Sequence, residues 1–122
     1  MDIAQISRLL AANCVDAQLY LRPNLTLHQL AQAVGTNRTY LSQYFAYQDT
    51  NYNAYINDLR IRHFIRLYSE AVADQRFYTV QQLATQSGYR SYNTFALAFK
   101  QRMGKSVTEW KQEDVATGNF GR

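Results

Sequence analysis

The sequence predicts an all-α fold of about seven helices, arranged as two helix-turn-helix subdomains joined by one long helix. Three observations carry this. Glycine and proline are scarce, five and one in 122 residues, which argues against a turn-rich β fold. The apolar residues recur at helical spacing. And the chain contains itself twice. Thr26, Leu27, Leu30, Ala31, Val34 and Gly35 reappear 53 residues later as Thr79, Val80, Leu83, Ala84, Ser87 and Gly88. Leu41, Tyr44 and Phe45 return after 54 residues as Phe95, Ala98 and Phe99; Asn51, Tyr52 and Tyr55 return after 55 as Ser106, Val107 and Trp110. The offset changes only in the connections, as expected of two copies of a helical unit whose turns differ in length.

Taken in order, residues 3–20 form an amphipathic first helix with Ile3, Ile6, Leu10 and Cys14 on one face. It ends near Arg22-Pro23, because proline disfavours helix in the residue before it. This 1–24 segment packs on the first subdomain, 25–50. There Thr26 and Gln29 suit a capping box, in which a hydroxyl and an amide satisfy orphan N–H groups at a helix start. Gly35 permits a sharp turn, Asn37 caps the next helix, and Leu41, Tyr44 and Phe45 face inward. Tyr40 is also read as a packing residue.

A linker helix follows over 51–69. Its stripe of Tyr52, Tyr55, Ile56, Leu59 and His63 is broadened by Ile61, Phe64, Ile65 and Tyr68, so it needs more than one packing partner. Eighteen residues at 1.5 Å each span ~27 Å, comparable to the ~34 Å helical turn of B-DNA. Residues 70–78 are a linker. Over 79–113 the unit repeats: Thr79 and Gln82 as capping box, Gly88 as turn, Ser91 as cap. Ser106 and Glu109 cap a last helix ending near Gln112. Residues 114–122 are expected to fray.

Net charge is +4, and its placement is informative. Residues 79–111 carry Arg90, Lys100, Arg102, Lys105 and Lys111 against Glu109 alone. A basic segment fits a polyanion. The single cysteine, Cys14, allows no internal disulfide and reads as core packing in a reduced, cytoplasmic setting. Cys14, His28 and His63 make no metal site, and no cofactor loop or catalytic constellation is visible, so no cofactor and no enzymatic activity are expected. No apolar run approaches a membrane span.

The stretch from Thr79 to Lys100, continued by Gly104 to Trp110, resembles the second helix-turn-helix of AraC/XylS-family transcription regulators. The phrase from Tyr55 to Ile61 resembles the start of that family's linker helix. The resemblance covers roughly residues 25–112 and agrees at many spaced positions at once. It implies a homeodomain-like C-terminal DNA-binding domain, with double-stranded DNA as partner and RNA polymerase as a further one. It also implies an upstream sensor or dimerisation domain, although some members of this size are stand-alone activators. Three departures stand out: Val107 where proline is usual, Asp49-Thr50 where glycine is common, and Leu97 where some members carry arginine.

A recognition helix meets the major groove through its first turns and outer face. Those positions are Asn37, Thr39, Ser42 and Gln43 in the first unit, and Tyr92, Asn93, Thr94 and Leu97 in the second, expected to contact bases. Arg38, Arg90, Ser91, Lys100, Arg102 and Lys105 are expected to contact phosphates. Arg60, Arg62 and Arg66 read as structural or solvated. The alternative function is a helical protein–protein adaptor; basic, amide-rich outer faces favour DNA over it.

Overall fold

The computed structural model describes residues 1–117, with side chains to 113. Seven α-helices and two short irregular turns make up the described residues, with no strand among them. They are α1 (Ile3–Leu10), α2 (Leu27–Val34), α3 (Arg38–Tyr47), α4 (Tyr52–Ala73), α5 (Val80–Gln86), α6 (Tyr92–Met103) and α7 (Val107–Thr117). The chain divides into two units, Met1–Leu59 and the residues from Arg60 onward, and α4 runs unbroken through the division.

In the first unit α1 does not continue to residue 20. It gives way at Leu10 to a π-helical turn, Ala11–Asp16, and then a 3-10 turn, Leu19–Leu21. The wider π turn holds Cys14 in full burial, and beside it Asn13 Nδ2 donates to the Ala33 carbonyl at 2.8 Å. Gln18, with φ of 56°, takes the left-handed conformation and breaks the helical path. The core beneath is largely aliphatic: Ile6, Leu10, Leu25, Leu30, Val34, Leu41 and Ile56 with Phe45. Its tyrosines turn their hydroxyls to partners. Ser7 Oγ and Tyr44 Oη share a 2.6 Å bond, and Tyr52 Oη donates to the Leu25 carbonyl at 2.6 Å.

The second unit has an aromatic core. Phe64 on α4 lies 4.6 Å from Phe95 and 5.9 Å from Phe99, and Trp110 lies 5.1 Å from Tyr68 and 5.4 Å from Phe99, centroid to centroid. Such offset and edge contacts add to plain area burial. Lys111 Nζ sits over the rings of Tyr68 and Tyr78, at 5.7 and 5.5 Å. Arg60 lies 5.6 Å above Tyr89, and Arg66 Nη2 reaches His63 Nδ1 at 2.8 Å. Both arginines thus have partners among the described residues.

Two helix ends differ from expectation. α4 continues past residue 69 to Ala73, where Ala71 is buried and Val72 still packs on the second core. The linker shrinks accordingly to residues 74–78. α7 continues past Gln112 to Thr117; of the tail expected to fray, residues 118–122 lie outside the described residues.

Candidate nucleic-acid interface

Each unit presents one recognition helix, and each is started by the same local chemistry. Thr26 and Thr79 accept from the Gln29 and Gln82 amides at 3.1 Å, and each glutamine side chain returns the bond, so α2 and α5 both open on complete capping boxes. Left-handed glycines follow both, Gly35 (φ 86°) capping α2 and Gly88 (φ 98°) just after the Ser87 cap of α5. The amides of Thr36 and Tyr89 then bond back to Ala31 and Ala84, closing the same six-to-one turn. α3 and α6 follow at once.

Asn37 caps α3: its Oδ1 accepts from the Tyr40 amide at 2.9 Å. Ser91 caps α6: its Oγ accepts from the Thr94 amide at 3.1 Å and donates to Thr94 Oγ1 at 2.9 Å. Capping engages part of the polar surface the sequence assigned to DNA. What remains of Asn37 for a ligand is chiefly its NH₂ group, and Thr94 keeps its O–H donor and its methyl. Arg38, Thr39, Ser42 and Gln43 stand exposed along α3. Tyr92, Asn93 and Leu97 stand exposed along α6, Leu97 with 61% of its surface in solvent. The ring of Tyr92 also leans on Phe95, 5.7 Å between centroids.

The cations gather around α6. Lys100 and Arg102 occupy its last turn, where they complement the helix dipole. Arg90 is exposed in the preceding turn; Arg90 and Arg102 also have partners inside the fold. Lys105 is half-buried and paired with Glu113, so less of its charge is available than the sequence suggested. The Glu109 carboxyl is held below its usual range, chiefly because the backbone N–H and the hydroxyl of Ser106 bond to it, with Lys100 and Lys105 adding to the effect.

Tyr40 differs from expectation. It is 58% exposed and lies on the flank of α3 rather than in the core. Tyr47, which the sequence reading passed over, is 72% exposed on the same flank. The signal that could have found Tyr40 is the repeat, which pairs it with the exposed Thr94, 54 residues on. Among the described residues no cluster of His, Cys, Asp and Glu could hold a metal, and no helix is long and apolar enough to cross a membrane.

Residues 30–113 match the family model of the helix-turn-helix domain. No curated protein matches the sequence. Among solved structures, a protein of unknown function from Listeria innocua superposes with a TM-score of 0.65 at 19% identity, over 88% of this chain and 94% of its own. A DNA-binding transcriptional dual regulator from Escherichia coli K-12 superposes with a TM-score of 0.64 at 16% identity, over 93% and 92%. At such identities these likenesses speak to fold.

Proposed function

The chain belongs to the AraC-type helix-turn-helix family, and from that premise we propose that it is the DNA-reading part of a transcription regulator. It binds double-stranded DNA sequence-specifically, with α3 and α6 each entering a major groove in successive half-sites. The observation that carries this reading is the duplication of one device. Two capped helices, each following a glycine turn, hold polar or apolar side chains outward that the cores do not use. That the Escherichia coli structural relative is a DNA-binding regulator supports it.

The two helices divide the work. On α3, Arg38, Thr39, Ser42 and Gln43 are mostly hydrogen-bonding groups, and the Gln43 amide suits a bidentate pair with adenine. In the first turns of α6 Asn93 offers an amide; Leu97 can only meet thymine methyls, while Lys100, Arg102 and the neighbouring Arg90 suit phosphates. The first unit thus discriminates bases and the second anchors. RNA polymerase and an upstream sensor or dimerisation domain are the partners such a module requires to act on transcription, and the cytoplasm is where it would meet them.

Salt tests the reading. Affinity for duplex DNA should fall steeply with ionic strength as counterions are released, and Arg90→Ala should lower the slope by about one. Affinity indifferent to salt would favour the protein–protein adaptor instead.

A further inference from the structure

We propose that Tyr40 and Tyr47 form a neutral aromatic contact with the sugar–phosphate backbone along one flank of the first recognition helix. The proposal rests on the DNA-binding reading above.

The first observation is the state of the tyrosines in this unit. Those that pack engage their hydroxyls inside it: Tyr44 with Ser7, and Tyr52 with the Leu25 carbonyl. Tyr40 and Tyr47 expose most of their surface, and neither hydroxyl bonds to another of the described residues. The second is placement. Tyr40, Gln43 and Tyr47 recur at i, i+3 and i+7, one strip of a helix. With Met1, Ile3 and Tyr44 they line an open groove of about 240 Å³ between the start of α1 and α3. Gln43 belongs both to this strip and to the outer face, so the strip is continuous with the surface that meets bases. Residues flanking the outermost strip of a helix in a groove face the groove wall, which is sugar and phosphate.

The third is the contrast with the other copy. The repeat sets Thr94 and Gln101 where Tyr40 and Tyr47 stand. There the last turn of the recognition helix carries Lys100 and Arg102; the last turn of α3 carries no basic residue. A recognition helix still needs contacts that fix its register on the duplex. On α3, Arg38 is the only cation, at the opposite end of the helix from Tyr47. Phenol hydroxyls can donate to phosphate oxygens, and the rings can lie against deoxyribose, without adding charge.

The test measures binding of the parent, Tyr40→Phe, Tyr47→Phe and the Tyr40→Ala/Tyr47→Ala double variant across a salt series. The probes are a mixed-sequence duplex and a site selected by the parent. Arg38→Ala is the reference for a charged contact. Each lost hydroxyl should weaken both probes about two- to tenfold, and the double alanine variant more. The salt slope should stay at the parent value, whereas Arg38→Ala lowers it by about one. The phenylalanine variants keep the ring and the fold, so they carry the test if the double variant melts early. Parent-like affinity in every tyrosine variant would overturn the proposal and leave the flank to a protein partner. A shift in base preference with unchanged mixed-sequence affinity would overturn it too, since it would put the tyrosines on base edges. A parent that binds neither probe would defeat the DNA-binding reading itself.

Discussion

The units before and after Leu59 begin alike and end differently. The helix-turn-helix of each opens on a Thr/Gln capping box, turns at a left-handed glycine and starts a second helix on a polar cap. The first then fills its interior with aliphatic side chains under α1 and a π turn, and ties Tyr44 and Tyr52 down by their hydroxyls. The second fills the matching space with Phe64, Phe95, Phe99 and Trp110, and clamps Lys111 over two tyrosine rings. Their outer faces diverge as well, hydrogen-bonding on α3 and cationic at the end of α6. The contrast teaches that the caps and turns define the motif, whereas core and surface are free to specialise once the turn is made.

The largest effect that could break this comparison lies at Trp110. It is 9% exposed and touches rings on both α4 and α6, so Trp110→Ala should destabilise the second unit by about 3–5 kcal/mol through cavity formation. Chemical denaturation followed at the second unit would show it. A parent-like midpoint would mean the aromatic core does not carry the stability ascribed to it.

A smaller effect sharpens the part the units share. Gly35 has φ of 86°, and a Cβ there would meet only Met1 Cε at 3.8 Å, an ordinary contact. The cost of Gly35→Ala is therefore conformational, about 1–2 kcal/mol. Asp49 also sits in the left-handed region, φ 60°, with the Thr50 amide bonded back to Phe45. Asp49→Gly should then stabilise by about 0.5 kcal/mol, the relieved strain exceeding the added chain entropy. Thermal melts of the two variants should move in opposite directions.

Smaller still is a pH effect confined to the second unit. Burial holds the His63 imidazole below its ordinary pKa, and Arg66 beside it acts in the same sense, with Glu70 opposing. The unfolded chain thus takes up the proton more readily than the fold. The stability is fully present above about pH 6.5 and is lost as pH falls below it. His63→Gln should flatten that dependence in melts taken from about pH 7.5 to about pH 5. An unchanged slope would assign it to another group.

Much of this was legible because its causes are local. Thr26, Thr79, Asn37 and Ser91 cap where they were expected to, since a hydroxyl or amide three residues before a free N–H needs nothing else in the fold. Trp110 is buried as its repeat position implied. The misreadings arose where tertiary packing decides. The π turn at 11–16 lies where Asn13 meets the Ala33 carbonyl, a partner 20 residues on, and α4 overran its expected end where Val72 meets the second core. Tyr40 adjoins the inner stripe of Leu41 and Tyr44, and composition alone cannot tell a flank from a core edge. For the interface, residue types and caps were readable; the pairing of Lys105 with Glu113 depends on where α7 packs.

The central claim is that the first unit reads bases while the second anchors the duplex. The most direct measurement is binding-site selection at fixed salt with the parent, Gln43→Ala and Leu97→Ala, two variants at equivalent positions of the repeat. A good bidentate pair contributes about 1–3 kcal/mol of discrimination. Gln43→Ala should therefore relax preference at one or two base pairs of one half-site while non-specific affinity stays near the parent value. Leu97→Ala should change base preference little. An unaltered selected site for Gln43→Ala together with a large shift for Leu97→Ala would contradict the division and place base reading in the second unit.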